Sequence, residues 1–182
     1  MAYEGQSMDA AKVQRFRAAA LPYLDDVYTL ARYLLRNSSD AEDAAQECYL
    51  RAFRHFETFR GGAIKPWLLA ILRNVCRAEF ARRVALPVME AEAEEASQAV
   101  WDGQDSPETE TARRLDGETA RRLIAQLPDQ FRETIVLREI NDLSYREIAD
   151  VIGAPVGTVM SRLARARLLL RKAWFEEERG SS

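Results

Sequence analysis

Leu143-Ser-Tyr-Arg-Glu-Ile-Ala-Asp-Val-Ile-Gly-Ala-Pro-Val-Gly-Thr-Val-Met-Ser-Arg-Leu-Ala-Arg-Ala-Arg167 decides the fold: it reads as a helix, a tight turn and a second, arginine-bearing helix. Ser144 and Glu147 have the Ser-x-x-Glu spacing of a capping box, and Ile148, Val151 and Ile152 form the apolar side of the helix it starts. Gly153 stops that helix, and Pro155 suits the first turn of the next. Val156, Val159, Leu163, Ala166 and Leu170 then step by three or four residues along one buried stripe, opposite Ser161, Arg162, Arg165, Arg171 and Lys172. A helix pair of this form seats its second member in the major groove of duplex DNA.

Working outward, periods near 3.6 follow one another and alternating β-branched runs are nearly absent, so the fold class is all-α. A first helix is expected over Ala10 to Ala20, and a second from Pro22 to Arg36 with Val27, Leu30, Ala31 and Leu34 inward. Ser39 and Glu42 read as another capping box, opening a helix to Phe59 with Ala41, Ala45, Cys48 and Ala52 on one side. Arg60 to Pro66 is a loop in which Gly61 and Gly62 permit unusual backbone geometry, and Trp67 to Val84 is helical. Beyond Pro87 the composition turns acidic, which predicts a flexible linker or a weak helix. Helices resume over Thr111 to Leu127 and Asp129 to Ile140. Two small helical domains, 10–86 and 112–176, with a linker over 87–111, account for the 182 residues.

The formal charge of −3 hides strong segregation. Eight carboxylates and no Lys or Arg lie between Val88 and Ala112, whereas Ala154 to Phe175 holds five basic residues and no acidic one. Arg60 to Arg83 carries six basic residues against Glu79 alone, a pattern suited to tracking single-stranded phosphates beside a glycine loop, or to a solvated helix face. The N-terminus lacks the pattern of a signal peptide and no apolar run is long enough to span a bilayer, so a cytoplasmic location is expected. Cys48 and Cys76 read as small buried hydrophobes rather than a disulfide or metal pair, and His55 as an ordinary helix residue. No ligand cluster, phosphate loop or nucleophile constellation points to an enzyme, a cofactor or a metal.

Four stretches in order carry a resemblance: Asp40 to Phe53, Phe59 to Asn74, Leu127 to Glu133 and Leu143 to Arg167. Together they resemble the two-domain sigma factors of the extracytoplasmic-function type, with their region two, linker and region four. The resemblance implies binding to core RNA polymerase, reading of the promoter's minus-ten element by the first domain and of its minus-thirty-five element by the second. It places Asp40, Glu42, Asp43, Gln46 and Glu47 on the polymerase-binding face, although carboxylates at a helix start are also favoured by the macrodipole alone. It assigns capture of a flipped minus-ten base to Gly61, Gly62, Ala63, Ile64, Lys65 and Asn74, while Arg60, Arg73 and Arg77 beside them have the charge to track the phosphates of the minus-ten strand. Phe59 and Trp67 have the chemistry to stack bases, but their helical spacing favours core packing. Arg146, Thr158, Met160, Ser161, Arg162 and Arg165 fall at minus-thirty-five positions, Met160 where many relatives carry a basic residue. The acidic tract, Glu90 to Glu110, would thread the RNA exit path, or serve as a solubilising spacer. An anti-sigma protein is the further partner the family implies. An independent dimeric repressor would leave the Arg73 to Arg83 helix and the acidic start at Asp40 without a purpose.

Overall fold

The computed structural model describes residues 2–85 and 111–180, all of whose regular structure is helical. The acidic tract expected as a linker lies outside the described residues apart from Thr111. The chain begins with α1 (Ala2–Ala20), eight residues earlier than expected. No proline interrupts that start, and its glycine costs a helix only about 1 kcal/mol. A single 3-10 turn at Leu21–Tyr23, set by Pro22, leads into α2 (Leu24–Leu35). Arg36 closes α2 in the left-handed region, its N–H bonded to the Arg32 carbonyl at 3.0 Å.

The start of α3 (Ser38–His55) corrects the expected capping box at Ser39 and Glu42: Asn37 is the cap, its side-chain oxygen accepting from the Asp40 N–H. Asn37 already holds the extended backbone a cap requires, so the helix starts before Ser39 can act. It ends at His55 rather than Phe59, tightening into a 3-10 turn at Phe56–Thr58. The next helix, α4 (Ile64–Ala85), places Pro66 in its first turn. Val27, Leu30, Ala31, Ala41, Ala45, Cys48, Ala52, Leu68, Leu69 and Leu72 close the core of this first unit. Each large apolar side chain so buried contributes about 1.5–3 kcal/mol. Cys48 donates its Sγ–H to the Leu68 carbonyl at 3.4 Å, and Cys76 is buried alongside in α4. His55 is exposed.

The second unit holds α5 (Thr111–Gln126), α6 (Asp129–Glu139), α7 (Tyr145–Ile152) and α8 (Val156–Gly180). From Arg132 to Leu137 every residue of α6 is buried, because α2, α5, α7 and α8 surround it. Arg132 survives there by donating to the Ala125 and Leu127 carbonyls at the end of α5, at 3.1 and 2.8 Å, and by pairing with Asp129. The capping box at Ser144 and Glu147 forms as expected, and Gly153 ends α7 at φ +65°. On α8, Val159, Leu163 and Ala166 are buried and Leu170 is half-buried. Val156 is exposed instead, since it opens the helix ahead of the packed stripe. The two units meet where α2 packs on α6 and α4 on α7.

Candidate nucleic-acid interface

Along α3, Glu42, Asp43 and Gln46 are exposed and share one stripe, while Asp40 is half-buried and Glu47 accepts from Arg51 Nε at 2.6 Å one turn on. Leu50 continues the stripe one turn beyond Gln46 and is 53% exposed. Sequence reasoning missed it. The available signal was an apolar residue four places after Gln46, on the polar side of an otherwise amphipathic helix.

The loop into α4 holds Arg60, Gly61, Gly62 and Ala63 exposed. Gly61 and Gly62 have φ of +82° and +96°, and a Cβ at either would meet open space. Their glycine character therefore answers to backbone conformation and not to crowding. Ile64 packs against the core, and Lys65 sets Nζ 2.7 Å from Asp26 Oδ1. Phe59 and Trp67 pack on each other with ring centroids 4.7 Å apart, a contact that agrees with core packing. Asn74 and Arg77 are exposed one turn apart on α4. Arg73 is different: its Nε donates to Glu133 Oε1 of α6 at 2.6 Å, and the two side chains are only 13% and 11% exposed.

The helix-turn-helix is held from both ends. Glu147 accepts from the Ser144 N–H at 2.8 Å and from its hydroxyl at 2.7 Å, and these bonds hold its carboxyl below the usual range. Arg138 donates to the Leu143 carbonyl at 2.8 Å and lies over the Tyr145 ring, fixing the approach to α7. Arg146, Met160, Ser161 and Arg165 are exposed, Met160 at 54%. Thr158 is half-buried and accepts at its carbonyl from the Ser161 hydroxyl at 3.0 Å. Arg162 is half-buried and lines a cleft of about 440 Å³ between the units, together with Arg73, Arg77 and Glu133. The structure thus brings together cations expected to read two different promoter elements, and it sets Glu133 among them, a residue that sequence reasoning did not single out. Among the described residues there is no group of three or more His, Cys, Asp or Glu side chains placed to hold a metal. No helix among them is long and apolar enough to cross a membrane.

Sigma-70 region 2 matches this chain over residues 20–85, and Sigma-70, region 4, over residues 118–170. The RNA polymerase sigma-H factor of Pseudomonas aeruginosa is 34% identical over 165 residues, covering 87% of this chain and 85% of that one. The ECF RNA polymerase sigma factor SigW of Bacillus subtilis is 34% identical over 157 residues, covering 82% and 83%. Among solved structures, the sigma factor RpoE in complex with the anti-sigma factor NepR, from Bartonella quintana, superposes with a TM-score of 0.65 at 24% identity, covering 87% of this chain and 96% of that chain. CnrH in complex with the cytosolic domain of CnrY gives 0.64 at 22%, covering 90% of each. These last two likenesses establish the fold. With both regions matched in order, and relatives at 34% identity aligned over most of their length, the chain belongs to the extracytoplasmic-function sigma factors of RNA polymerase.

Proposed function

We propose that this chain binds core RNA polymerase and directs it to a particular set of promoters, with no catalysis of its own, in the cytoplasm. The observation that carries the reading is the ordered pair of sigma regions, the second ending in an exposed recognition surface of Met160, Ser161 and Arg165 on α8. Residues 10–86 act as the polymerase-binding and minus-ten unit, 87–111 as the tether and 112–176 as the minus-thirty-five unit. Glu42, Asp43, Gln46 and Leu50 form the docking stripe for polymerase, supported by Asp40 and Glu47. Arg60 to Lys65, with Arg73, Asn74 and Arg77, hold the unpaired minus-ten strand, using open glycine backbone for the base and cations for the phosphates. Arg162 and Arg165 read base edges, while Arg146 clamps backbone. An anti-sigma protein restrains the chain. The RpoE structure, which is a complex with the anti-sigma factor NepR, supports this by analogy.

In vitro transcription tests the proposal. Purified chain plus core polymerase on a pool of genomic promoters yields discrete start sites, and no transcript above core alone at any salt concentration would sink it. Arg165→Ala then weakens discrimination at one minus-thirty-five base pair by about 1–3 kcal/mol, read as relative transcript yield from paired templates.

A further inference from the structure

Arg73, Arg77 and Phe80 share one face of α4, at spacings of four and three residues, and all three line the cleft of about 440 Å³ between the units. Arg132 of α6 and Arg162 of α8 line it too. Two carboxylates share the cleft with these guanidiniums, and each is already engaged, Glu133 by Arg73 at 2.6 Å and Asp129 by Arg132. Arg77 and Arg162 have no hydrogen-bond or ion-pair partner among the described residues, so two positive charges stay uncompensated.

A further donor is idle. Arg132 is 1% exposed, and its Nε is the one buried side-chain donor among the described residues without an acceptor. Buried donors in folded proteins are paired with few exceptions, so an idle one beside surplus positive charge points to an acceptor brought from outside. Phe80 adds an aromatic face that is 41% exposed and lies outside the apolar core. The walls are held in register across the seam by Asn141, just past α6 and fully buried, whose Nδ2 donates to the Asp26 carbonyl at 3.1 Å and to the Asp26 carboxylate at 3.2 Å. Lys65 pairs with the same carboxylate. A cleft so fixed, and of this volume, has the character of a small-ligand site.

We propose that this cleft binds a phosphorylated nucleoside, with its phosphates on Arg77 and Arg162 and its base against Phe80. Two free guanidiniums match the charge of a diphosphate, whose oxygens accept charge-assisted bonds from both. A planar base supplies what a bare anion lacks, a π-face for the phenyl ring. The volume suits a single nucleotide and not a duplex. The inference uses only the charge and position of these side chains and stands apart from their reading as promoter contacts.

Isothermal titration calorimetry of the full chain tests it, with adenosine diphosphate and guanosine diphosphate as probes, without magnesium and at about 0.15 M salt. At least one of the two binds saturably, one molecule per chain. Inorganic pyrophosphate and adenosine each carry half of the recognised chemistry and bind about tenfold more weakly or worse, the factor for one lost stacking or charge-assisted contact. Arg77→Ala and Arg162→Ala each lower nucleotide affinity about tenfold, whereas Arg171→Ala, the same charge change at an exposed position of α8 outside the cleft, leaves it unaltered. Phe80→Leu weakens the nucleotide and leaves pyrophosphate unaffected. These are independent substitutions of partly or fully exposed side chains, so the site is still tested if one of them misfolds. No saturable binding of either diphosphate at millimolar concentration, or an equal loss in Arg171→Ala and Arg162→Ala, overturns the site. Pyrophosphate binding as tightly as the nucleotides overturns the nucleoside.

Discussion

Met160 stands half out of α8 beside Ser161, where a thioether meets a thymine methyl well and a guanine edge poorly. Met160→Arg is expected to raise affinity for any duplex and to shift preference toward guanine at one minus-thirty-five position by about 1–3 kcal/mol, read from competition binding to paired duplexes. Ser144 and Glu147 support a second expectation. Because hydrogen bonds from Ser144 depress the Glu147 carboxyl, their contribution is present above the unfolded carboxylate value near 4.3 and is lost as pH falls through the folded one. Ser144→Ala therefore costs about 1 kcal/mol at pH 7, a drop in Tm of about 2–4 °C, and the gap from wild type narrows below about pH 4 in thermal melts. This capping box was legible because donor and acceptor lie three residues apart. Glu133 was not, since its partner Arg73 lies sixty residues away and no local pattern links them.

At the scale of elements, hydrophobic period placed the helices and missed some of their ends. Asn37 outcompeted Ser39 as the cap of α3, because the residue that adopts extended backbone first takes the cap, and composition alone ranks Asn and Ser together. The loop before α4 was legible through its two glycines, and its geometry gives them a measurable role. Gly62→Ala puts a side chain at φ +96°, a strain of about 1–3 kcal/mol confined to an exposed loop. Global stability is expected to fall by no more than that strain, and minus-thirty-five duplex binding to stay unchanged. Promoter opening, followed by 2-aminopurine fluorescence at the minus-ten element, is expected to fall.

For the whole molecule, the order of elements could be read from sequence and the seating of one unit on the other could not. Periodicity tells that a face is covered but not by what, and α6 carries Arg132, Glu133 and Thr134 inside a helix buried all round. Shared burial along α2, α4, α6 and α7 makes the described halves unfold together. Calorimetry on the free chain is expected to show a single transition, and Asn141→Ala to split it in two. A different consequence follows from the core of the first unit. Cys48 and Cys76 are the only cysteines in the chain, and burial pushes both thiols up to about 12. At pH 7 roughly one in 100,000 is a thiolate, the form that peroxides and electrophiles attack. Iodoacetamide, which alkylates thiolates, should therefore leave promoter-directed transcription unchanged when added to the purified chain. Any thiol-directed signal that alters this protein's output in a cell has to be sensed by another molecule.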